Sequence, residues 1–275
     1  MVVCPADDIS MHPSLYLYYM KWLFILLASA GLLSLGFISK NKKTGTDKKN
    51  MALPVRGDYA PVAVLELFTS EGCSSCPSAD NLLPQLAGLD PHIIPISFHV
   101  DYWNRLGWED PFSSNDYTER QRAYADQLKL ESIYTPQLVV NGEYELVGSN
   151  RPGAQTAIKK ALEQKSKTEI AVNDVKINGD KVSFTALVNG ELKKTDLHAA
   201  ILQKKATMKI NAGENNGATL SHINIVRAFE TKPAAATTNF ELVIPGKLAN
   251  NDWELVVYAQ QKDLKITGAT IYTLK

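Results

Sequence analysis

The chain from residue 60 onward shows the hydrophobic pattern of a sheet whose strands are covered on both faces. Residues 62–68 (VAVLELF) and 93–100 (IIPISFHV) are nearly continuous apolar runs, and these predict two buried strands. Between them, residues 77–89 place apolar side chains along one face of a helix, in which Pro84 is expected to cause a kink. A polar helix is predicted over residues 116–130.

A hairpin and a third helix complete this first region. Residues 137–140 and 144–147 predict a β-hairpin, because the dipeptide Asn141-Gly142 between them favours a type I′ turn. Asn150 is then the predicted N-cap of the next helix. The order of elements is strand, helix, strand, helix, strand, hairpin strand, helix. This order predicts an α/β domain with one mixed sheet flanked by helices.

The hydrophobic pattern changes at residues 165–168 (KSKT). Beyond them, helical periodicity is weak and short β-favouring runs are separated by turn residues. The predicted strands are residues 170–177, 181–188, 197–203, 223–230, 240–244, 253–260 and 266–274. Such a series predicts an all-β, sandwich-like C-terminal domain. We therefore expect a signal or anchor segment with a polar tether at 1–50, an α/β domain at 51–166 and a β-sandwich-like domain at 167–275.

The N-terminal segment predicts export or membrane anchoring. Residues 22–38 (WLFILLASAGLLSLGFI) carry no charge and lie between Lys21 and Lys40. Read from Met20, the segment has the charged start, apolar centre and small residues of a signal peptide. A buried core helix fits poorly, because residues 40–50 form a polar tether with nothing to pack. The positive-inside rule keeps lysine-rich flanks of an apolar segment in the cytoplasm, and the lysines of this tether lie on the C-terminal side of the segment. They therefore argue against export of the C-terminal side, so orientation and cleavage stay open. We expect a periplasmic or other extracytoplasmic location, secreted or anchored, with a membrane as partner only if the segment is uncleaved.

Composition excludes a nucleic-acid-binding protein and a small disulfide-rich scaffold. Lys plus Arg and Asp plus Glu each total 29, so the net charge is zero and no long-range field is available to attract nucleic acid. Three cysteines are too few for a small disulfide-rich scaffold. The function must therefore lie in local features.

The strongest local feature is the pair of cysteines in Cys73-Ser74-Ser75-Cys76. It lies where a strand ends and a helix begins, and a helix N-terminus stabilises a thiolate through its free N–H groups. Cys73 is expected to be the exposed nucleophile and Cys76 the resolving thiol, one turn inside the helix. Zinc knuckles use the same spacing, so the motif alone does not decide between redox and metal chemistry.

Three stretches carry a resemblance to known proteins: LELFTSEGCSSCPSAD around the cysteine pair, FHVDYW at 98–103 and YTPQLVVNG at 134–142. With the strand order over residues 60–165, they resemble the thioredoxin superfamily. More narrowly, they are similar to the secreted thioredoxin-like family catalogued as domain of unknown function 1223. The segment GENNGATLSHINIVRA at 213–228 is similar to the same family. The resemblance implies a thioredoxin-like fold, export and a redox-type cysteine pair, but no substrate.

The resemblance also implies roles for three further residues. In a thioredoxin-like fold, Pro136 is cis and faces the cysteine pair, and the backbone of Thr135 is free to pair with a bound extended chain. The alternative for Pro136 is an ordinary trans proline at the start of a strand. Glu66 is a candidate for the buried carboxylate that takes the proton of Cys76, and the alternative is a salt-bridged or surface residue.

Other residues near the pair have less specific signals. Glu71 opposes thiolate formation, so we do not expect a strongly oxidising enzyme. His99 follows the second strand and is expected either to tune a thiol or to be hydrogen-bonded at the strand end. His198 and His222 are isolated, and we expect surface or core roles for them. The aromatic residues of 102–108 are expected to line the pair or to pack in the core.

The leading prediction is a thiol–disulfide oxidoreductase in which Cys73 attacks a partner disulfide and Cys76 releases the partner. It needs no cofactor, and its expected partners are protein or small-molecule thiols and disulfides. The alternative is a copper or zinc binding or delivery protein that uses Cys73, Cys76 and His99, since two thiolates and an imidazole suit either ion. A third reading makes the pair a structural staple beside a partner-binding sandwich, but so short a loop gains little stability from a cross-link.

Overall fold

The structure is a computed structural model, and it describes residues 59–244 and 252–274. The elements in chain order are β1 (Ala63–Thr69), α1 (Pro77–Ala87), β2 (Ile93–His99), a 3-10 helix (Asn104–Leu106), α2 (Asn115–Leu128), β3 (Gln137–Val140), β4 (Tyr144–Val147), α3 (Arg151–Leu162), β5 (Thr168–Asn178), β6 (Lys181–Gly190), β7 (Thr195–Lys209), β8 (Thr219–Pro233), β9 (Thr237–Val243), β10 (Trp253–Gln261) and β11 (Ile266–Thr273). The apolar segment 22–38 lies outside the described residues. Within them, no helix has the length and hydrophobicity needed to span a bilayer.

Eight strands form one mixed sheet in the order β11-β10-β7-β8-β2-β1-β3-β4. β1 pairs in parallel with β2, and β2 pairs in parallel with β8, whereas the other neighbours are antiparallel. The predicted mixed sheet with flanking helices is therefore confirmed. It is larger than expected because four strands from beyond residue 166 join it.

The remaining strands form a second, three-stranded sheet in the order β5-β6-β9. Its apolar face packs on β7 and β10, with Val182, Phe184 and Phe240 facing Ile201 and Leu255 in one buried cluster. Two sheets thus pack face to face, as the sandwich-like pattern predicted, but β7 and β10 belong to the large sheet. Residues 59–244 and 252–274 fall within a single compact unit, and the predicted boundary at 166/167 is not confirmed.

The large sheet is covered by helices on both faces near β1. Odd-numbered residues of β1, such as Leu65 and Leu67, pack on α1 and α3. Even-numbered residues, such as Val64 and Phe68, face Tyr117 and Tyr124 of α2. Since the whole of β1 is buried, its apolar run is nearly continuous rather than alternating.

The turn between β3 and β4 follows the sequence prediction and also connects distant segments. Asn141 and Gly142 both have positive φ, as a type I′ turn requires. The side chain of Asn141 accepts from the N–H of Val64 at 2.7 Å and donates to the carbonyl of Val62 at 2.8 Å. A Cβ at Gly142 would collide with the backbone of Leu264. Glycine is therefore required here both by the φ angle and by the close approach of the β10–β11 turn.

A buried ion pair lies between β1, α2 and β10. Glu66 is fully buried and accepts hydrogen bonds from Arg120 of α2, at 2.7 and 3.0 Å. The hydroxyls of Tyr124 and Tyr258 also donate to its carboxylate. Burial raises the pKa of both phenols well above the usual range, so they remain protonated donors. The Glu66 carboxylate is therefore saturated with hydrogen bonds on the face of the sheet opposite α1.

Replacing Arg120 by alanine should leave the buried charge of Glu66 without its counter-ion. Loss of one partner of a buried pair costs about 3–5 kcal/mol, so Arg120→Ala should lower the free energy of unfolding by about that amount in urea titrations. Arg122→Ala is the matched control, because Arg122 lies on the same helix and forms only an exposed pair with Glu119. It should change stability by less than about 0.5 kcal/mol. Equal effects of the two substitutions would contradict this interpretation.

Candidate functional site

The cysteine pair lies in the turn between β1 and α1, at the carboxyl end of the two parallel strands. Cys73 and Cys76 form a disulfide. The helix begins at Pro77, whose missing N–H suits the first helical position, and Cys76 is the N-cap. Cys76 is therefore at the helix start rather than one turn inside it. Both cysteines have 0% exposure, which corrects the expectation that Cys73 is the exposed member.

The cis-proline loop packs against this disulfide. The Thr135–Pro136 peptide bond is cis, which confirms the sequence prediction for this bond. The carbonyl oxygen of Thr135 lies 3.8 Å from Cys73 Sγ and accepts a hydrogen bond from the Ser75 hydroxyl at 3.3 Å. The structure thus brings Cys73, Cys76, Thr135 and Pro136 together. The Thr135 carbonyl therefore already accepts one hydrogen bond, which leaves one lone pair for a bound chain.

The loop between β7 and β8 covers the cysteine turn from the other side. The Asn215 side-chain amide donates to the carbonyl oxygens of Glu71 at 2.8 Å and of Cys73 at 2.9 Å. The Glu214 carboxylate accepts from the N–H of Ser74 at 3.1 Å. The loop thus binds the backbone of the cysteine turn, in which Cys73 is buried and Ser74 is exposed.

Two tryptophans border the same turn. Trp103 Nε1 donates to Thr135 Oγ1 at 2.8 Å, and Trp108 Nε1 donates to the Glu71 carboxylate at 2.8 Å. A Cβ on Gly213 would approach the Cβ of Trp108 to 3.2 Å, so the β7–β8 loop lies against the segment that carries this tryptophan. Both indoles are half-buried. Both roles considered for these aromatic residues are found: the tryptophans border the cysteine turn, and Tyr102 and Trp103 also pack against the buried cluster around Phe98.

His222 of β8 lies between the buried carboxylates of Glu71 and Asp80, two residues that flank the cysteine pair in the chain. Its Nε2 is 3.3 Å from Glu71 Oε1, and its Nδ1 is 3.6 Å from Asp80 Oδ2. The His222 and Glu71 side chains are at most 1% exposed. Neither imidazole nitrogen has a well-aligned hydrogen-bond partner. The contacts are therefore ion-pair contacts.

These carboxylates control the charge of the histidine. Burial alone would lower the pKa of His222, but the contacts with Asp80 and Glu71 and their negative charges raise it to about 9. The imidazole is therefore protonated at neutral pH.

A second histidine–carboxylate pair adjoins the first. His99 Nδ1 is 2.7 Å from Asp110 Oδ2, and both side chains are fully buried. Asp110 also accepts from the N–H groups of Glu71 and Phe112, each at 2.9 Å. Burial alone would raise the pKa of Asp110, but the charge of His99 and these hydrogen bonds lower it. The rings of His99 and His222 are 4.8 Å apart and nearly perpendicular, so the two pairs form one buried cluster.

Sequence reasoning missed most of this cluster. His222 was expected to have a surface or core role, and neither Asp80 nor Asp110 was considered. Asp80 carried a usable signal, because it follows Cys76 by four residues and therefore shares a face of the helix with it. Glu66, by contrast, was expected near Cys76, but the structure places it on the other face of the sheet, saturated by Arg120 and two tyrosines.

Metal binding gains no geometric support. Among residues 59–244 and 252–274, no group of three His, Cys, Asp or Glu side chains is arranged to hold a metal ion. His99, the third ligand in the alternative prediction, is paired with Asp110 through Nδ1. The two cysteines are bonded to each other.

Comparison with known proteins identifies the family. Residues 64–260 match the family described as protein of unknown function (DUF1223). The chain belongs to this family. Among solved structures, the DUF1223 chain is similar to protein AGR_C_4864 from Agrobacterium tumefaciens, with 27% identity and a TM-score of 0.58, over 78% of this chain and 95% of that one. It is also similar to HBP35 of Porphyromonas gingivalis, with 16% identity and a TM-score of 0.56, over 80% of this chain and 77% of that one. No curated protein gives a significant match.

The cover over the disulfide can be tested with the β7–β8 loop of this DUF1223 protein. Asn215→Ala removes two hydrogen bonds that hold the loop, each worth about 1 kcal/mol net. Reduction of the disulfide by dithiothreitol should become about tenfold faster, as measured by the appearance of free thiols. Asn216→Ala is the control, since Asn216 is the exposed neighbour in the same loop. If both variants are reduced at the wild-type rate, the loop does not limit access.

The raised pKa of His222 predicts a pH-dependent stability of the oxidised protein. A histidine whose pKa is higher in the folded than in the unfolded state stabilises the folded protein. This stabilisation is fully present below about pH 6.5 and disappears as the pH rises to about 9. At roughly 1.4 kcal/mol per pKa unit, about 3 kcal/mol of unfolding free energy should be lost over this range. His222→Gln should remove that dependence in urea titrations at both pH values. His92→Gln, at an exposed histidine, should keep it. If His222→Gln keeps the wild-type pH dependence, the positive charge assigned to His222 is wrong.

Proposed function

We propose that this protein is an exported or membrane-anchored thiol–disulfide oxidoreductase. The observation that carries the proposal is the disulfide of Cys73 and Cys76, packed at 3.8 Å from the carbonyl of Thr135 in a cis Thr135–Pro136 loop. A disulfide at the carboxyl end of parallel strands, beside a helix start, is placed where α/β proteins bind their ligands. The apolar segment 22–38 supports the extracytoplasmic part of the proposal.

The arrangement of the first seven elements supports a thioredoxin-like assignment for residues 60–165. β2, β1, β3 and β4 are neighbours in the sheet, with β1 and β2 parallel and β3 antiparallel to β1. α1 and α3 cover one face, and α2 covers the other. The cysteine pair and the cis-proline then lie at the same end of this unit, as the resemblance in sequence implies.

The proposed reaction transfers two electrons between the pair and a partner. A partner thiolate attacks Cys73 Sγ, the Cys73–Cys76 bond breaks, and its electron pair leaves with Cys76, which takes up a proton. A second partner thiolate attacks the mixed disulfide and releases Cys73 as a thiolate, which also takes up a proton. The partner is oxidised and the pair is reduced. The reverse sequence reduces a partner disulfide.

The position of Cys73 favours it as the sulfur that meets the partner. Its neighbour Ser74 is exposed, and Cys73 Sγ faces the cis-proline loop and the Ser75 hydroxyl, 3.4 Å away. Cys76 is the N-cap of α1 and is followed directly by the helix. A purely structural role is weak, because a cross-link over three positions removes little entropy from the unfolded chain.

Substitution of each cysteine should give different products. Cys73→Ala should abolish exchange with glutathione and with model disulfides, because no sulfur remains at the position that faces the cis-proline loop. Cys76→Ala should form a mixed disulfide at Cys73 that is not released, and mass spectrometry would detect it as added mass. Ser78→Ala, an exposed site on the first turn of α1, is the control and should exchange at the wild-type rate. Full exchange activity in Cys73→Ala would overturn the proposed function.

A further inference from the structure

The connection between β2 and α2 reaches both loops of the disulfide site. A Cβ on Gly72, the residue before Cys73, would lie 3.0 Å from the Cβ of Trp103 and 3.4 Å from its carbonyl oxygen. The indole Nε1 of the same tryptophan donates to Thr135 Oγ1 at 2.8 Å. Trp103 therefore packs on the cysteine loop through its backbone and Cβ, and binds the cis-proline loop through its ring.

Thr135 is the residue of the cis-proline loop that faces the cysteines, and it lies between two peptide groups. The peptide before it is held by Gln121 of α2, whose amide donates to the Tyr134 carbonyl at 2.7 Å. The peptide after it is the cis bond, and the Thr135 carbonyl oxygen of this peptide lies 3.8 Å from Cys73 Sγ. The hydrogen bond from Trp103 holds the side chain between these two peptides. Thr135 is therefore fixed by contacts from outside its own loop.

The Thr135 carbonyl is the group that an extended partner meets beside the disulfide. It has one free lone pair, so a peptide N–H next to a partner cysteine can donate to it while the partner sulfur reaches Cys73. A loop that is fixed before binding loses less conformational entropy when a chain binds to it. A small disulfide without a peptide group has no N–H for this carbonyl and gains nothing from the fixed loop.

We propose that Trp103 is a positioning residue that acts through Thr135 and sets how strongly the pair favours disulfides in polypeptide chains over small disulfides. This inference rests on the proposed oxidoreductase function. In the reduced protein, the Cys73 thiolate attacks the sulfur of the partner cysteine, and a mixed disulfide forms. The other partner sulfur takes the electron pair of the broken bond and leaves as a thiolate. Trp103 takes no part in these bond changes, and its hydrogen bond serves to hold the loop to which the chain binds.

Trp108 offers a matched control within the same connection. Its Nε1 also donates at 2.8 Å, but the acceptor is the Glu71 carboxylate instead of the cis-proline loop. Both indoles are half-buried. Replacing either tryptophan by phenylalanine keeps an aromatic ring and removes one hydrogen bond, so the two substitutions differ in which loop loses a contact.

The test uses the full-length protein with Cys4→Ser, reduced before the assay, and two probes that share one leaving group. In the first probe, an uncharged pentapeptide with a central cysteine is joined through a disulfide to thionitrobenzoate. In the second, mercaptoethanol replaces the peptide. Attack by Cys73 releases the coloured thionitrobenzoate from both, and stopped-flow absorbance gives the rate constants. Each is divided by the rate constant of N-acetylcysteine with the same probe, and the ratio of the two results is the polypeptide preference.

Wild type should prefer the peptide probe by at least about tenfold, because a chain at Thr135 makes hydrogen bonds that the small probe lacks. Trp103→Phe should reduce this preference about fivefold, as expected for the loss of one hydrogen bond. Thr135→Val removes the acceptor oxygen at nearly constant volume and should reduce the preference by the same factor. The double variant should lose no more than either single variant, because both remove the same bond. Trp108→Phe should keep the preference within about twofold of wild type.

Three results would overturn the inference and leave the proposed function intact. The first is a preference within about twofold of wild type in either Trp103→Phe or Thr135→Val. The second is an equal loss in Trp108→Phe and Trp103→Phe, which would make the effect a general one of the connection. The third is a wild-type protein that reacts equally with both probes. If reduced wild type releases thionitrobenzoate from neither probe, the oxidoreductase function fails first, and the inference falls with it.

Discussion

The parallel pairing of β8 with β2 is the contact on which the site depends. It is short: Ser97 pairs with Ile225, the Ser97 hydroxyl donates to the Ile223 carbonyl at 2.8 Å, and the Asn224 amide donates to the Pro95 carbonyl at 3.0 Å. Side chains thus supplement backbone hydrogen bonds at this junction. Through it the C-terminal strands extend the sheet of the N-terminal strands, and β8 carries His222 to the carboxyl ends of β1 and β2.

The site is consequently built from two distant parts of the chain. The N-terminal part provides the disulfide, the cis-proline loop and two buried carboxylates. The C-terminal part provides the histidine that lies between those carboxylates and the loop that covers the cysteines. The disulfide and the charged groups near it are therefore buried together, where the low dielectric strengthens the interactions among the charges.

Local patterns in the sequence predicted the local features well. The strand, helix and hairpin order, the type I′ turn at Asn141-Gly142 and the helix start at Asn150 all follow from short-range rules. The position of Glu66 does not follow from such rules, because β1 is apolar on both faces and its pattern does not mark which face meets α1. The partners of His222 do not follow from them either, because these contacts depend on strand pairing across more than a hundred residues. For the same reason, the change of pattern near residue 166 did not reveal that β7, β8, β10 and β11 extend the first sheet.

One hairpin, β7–β8, contacts Glu71 at two points, its backbone and its side chain. Its tip, through Asn215, binds the Glu71 backbone, and its second strand, through His222, contacts the Glu71 carboxylate. A substitution that displaces this tip therefore also frees the backbone of the residue whose carboxylate helps to keep His222 protonated.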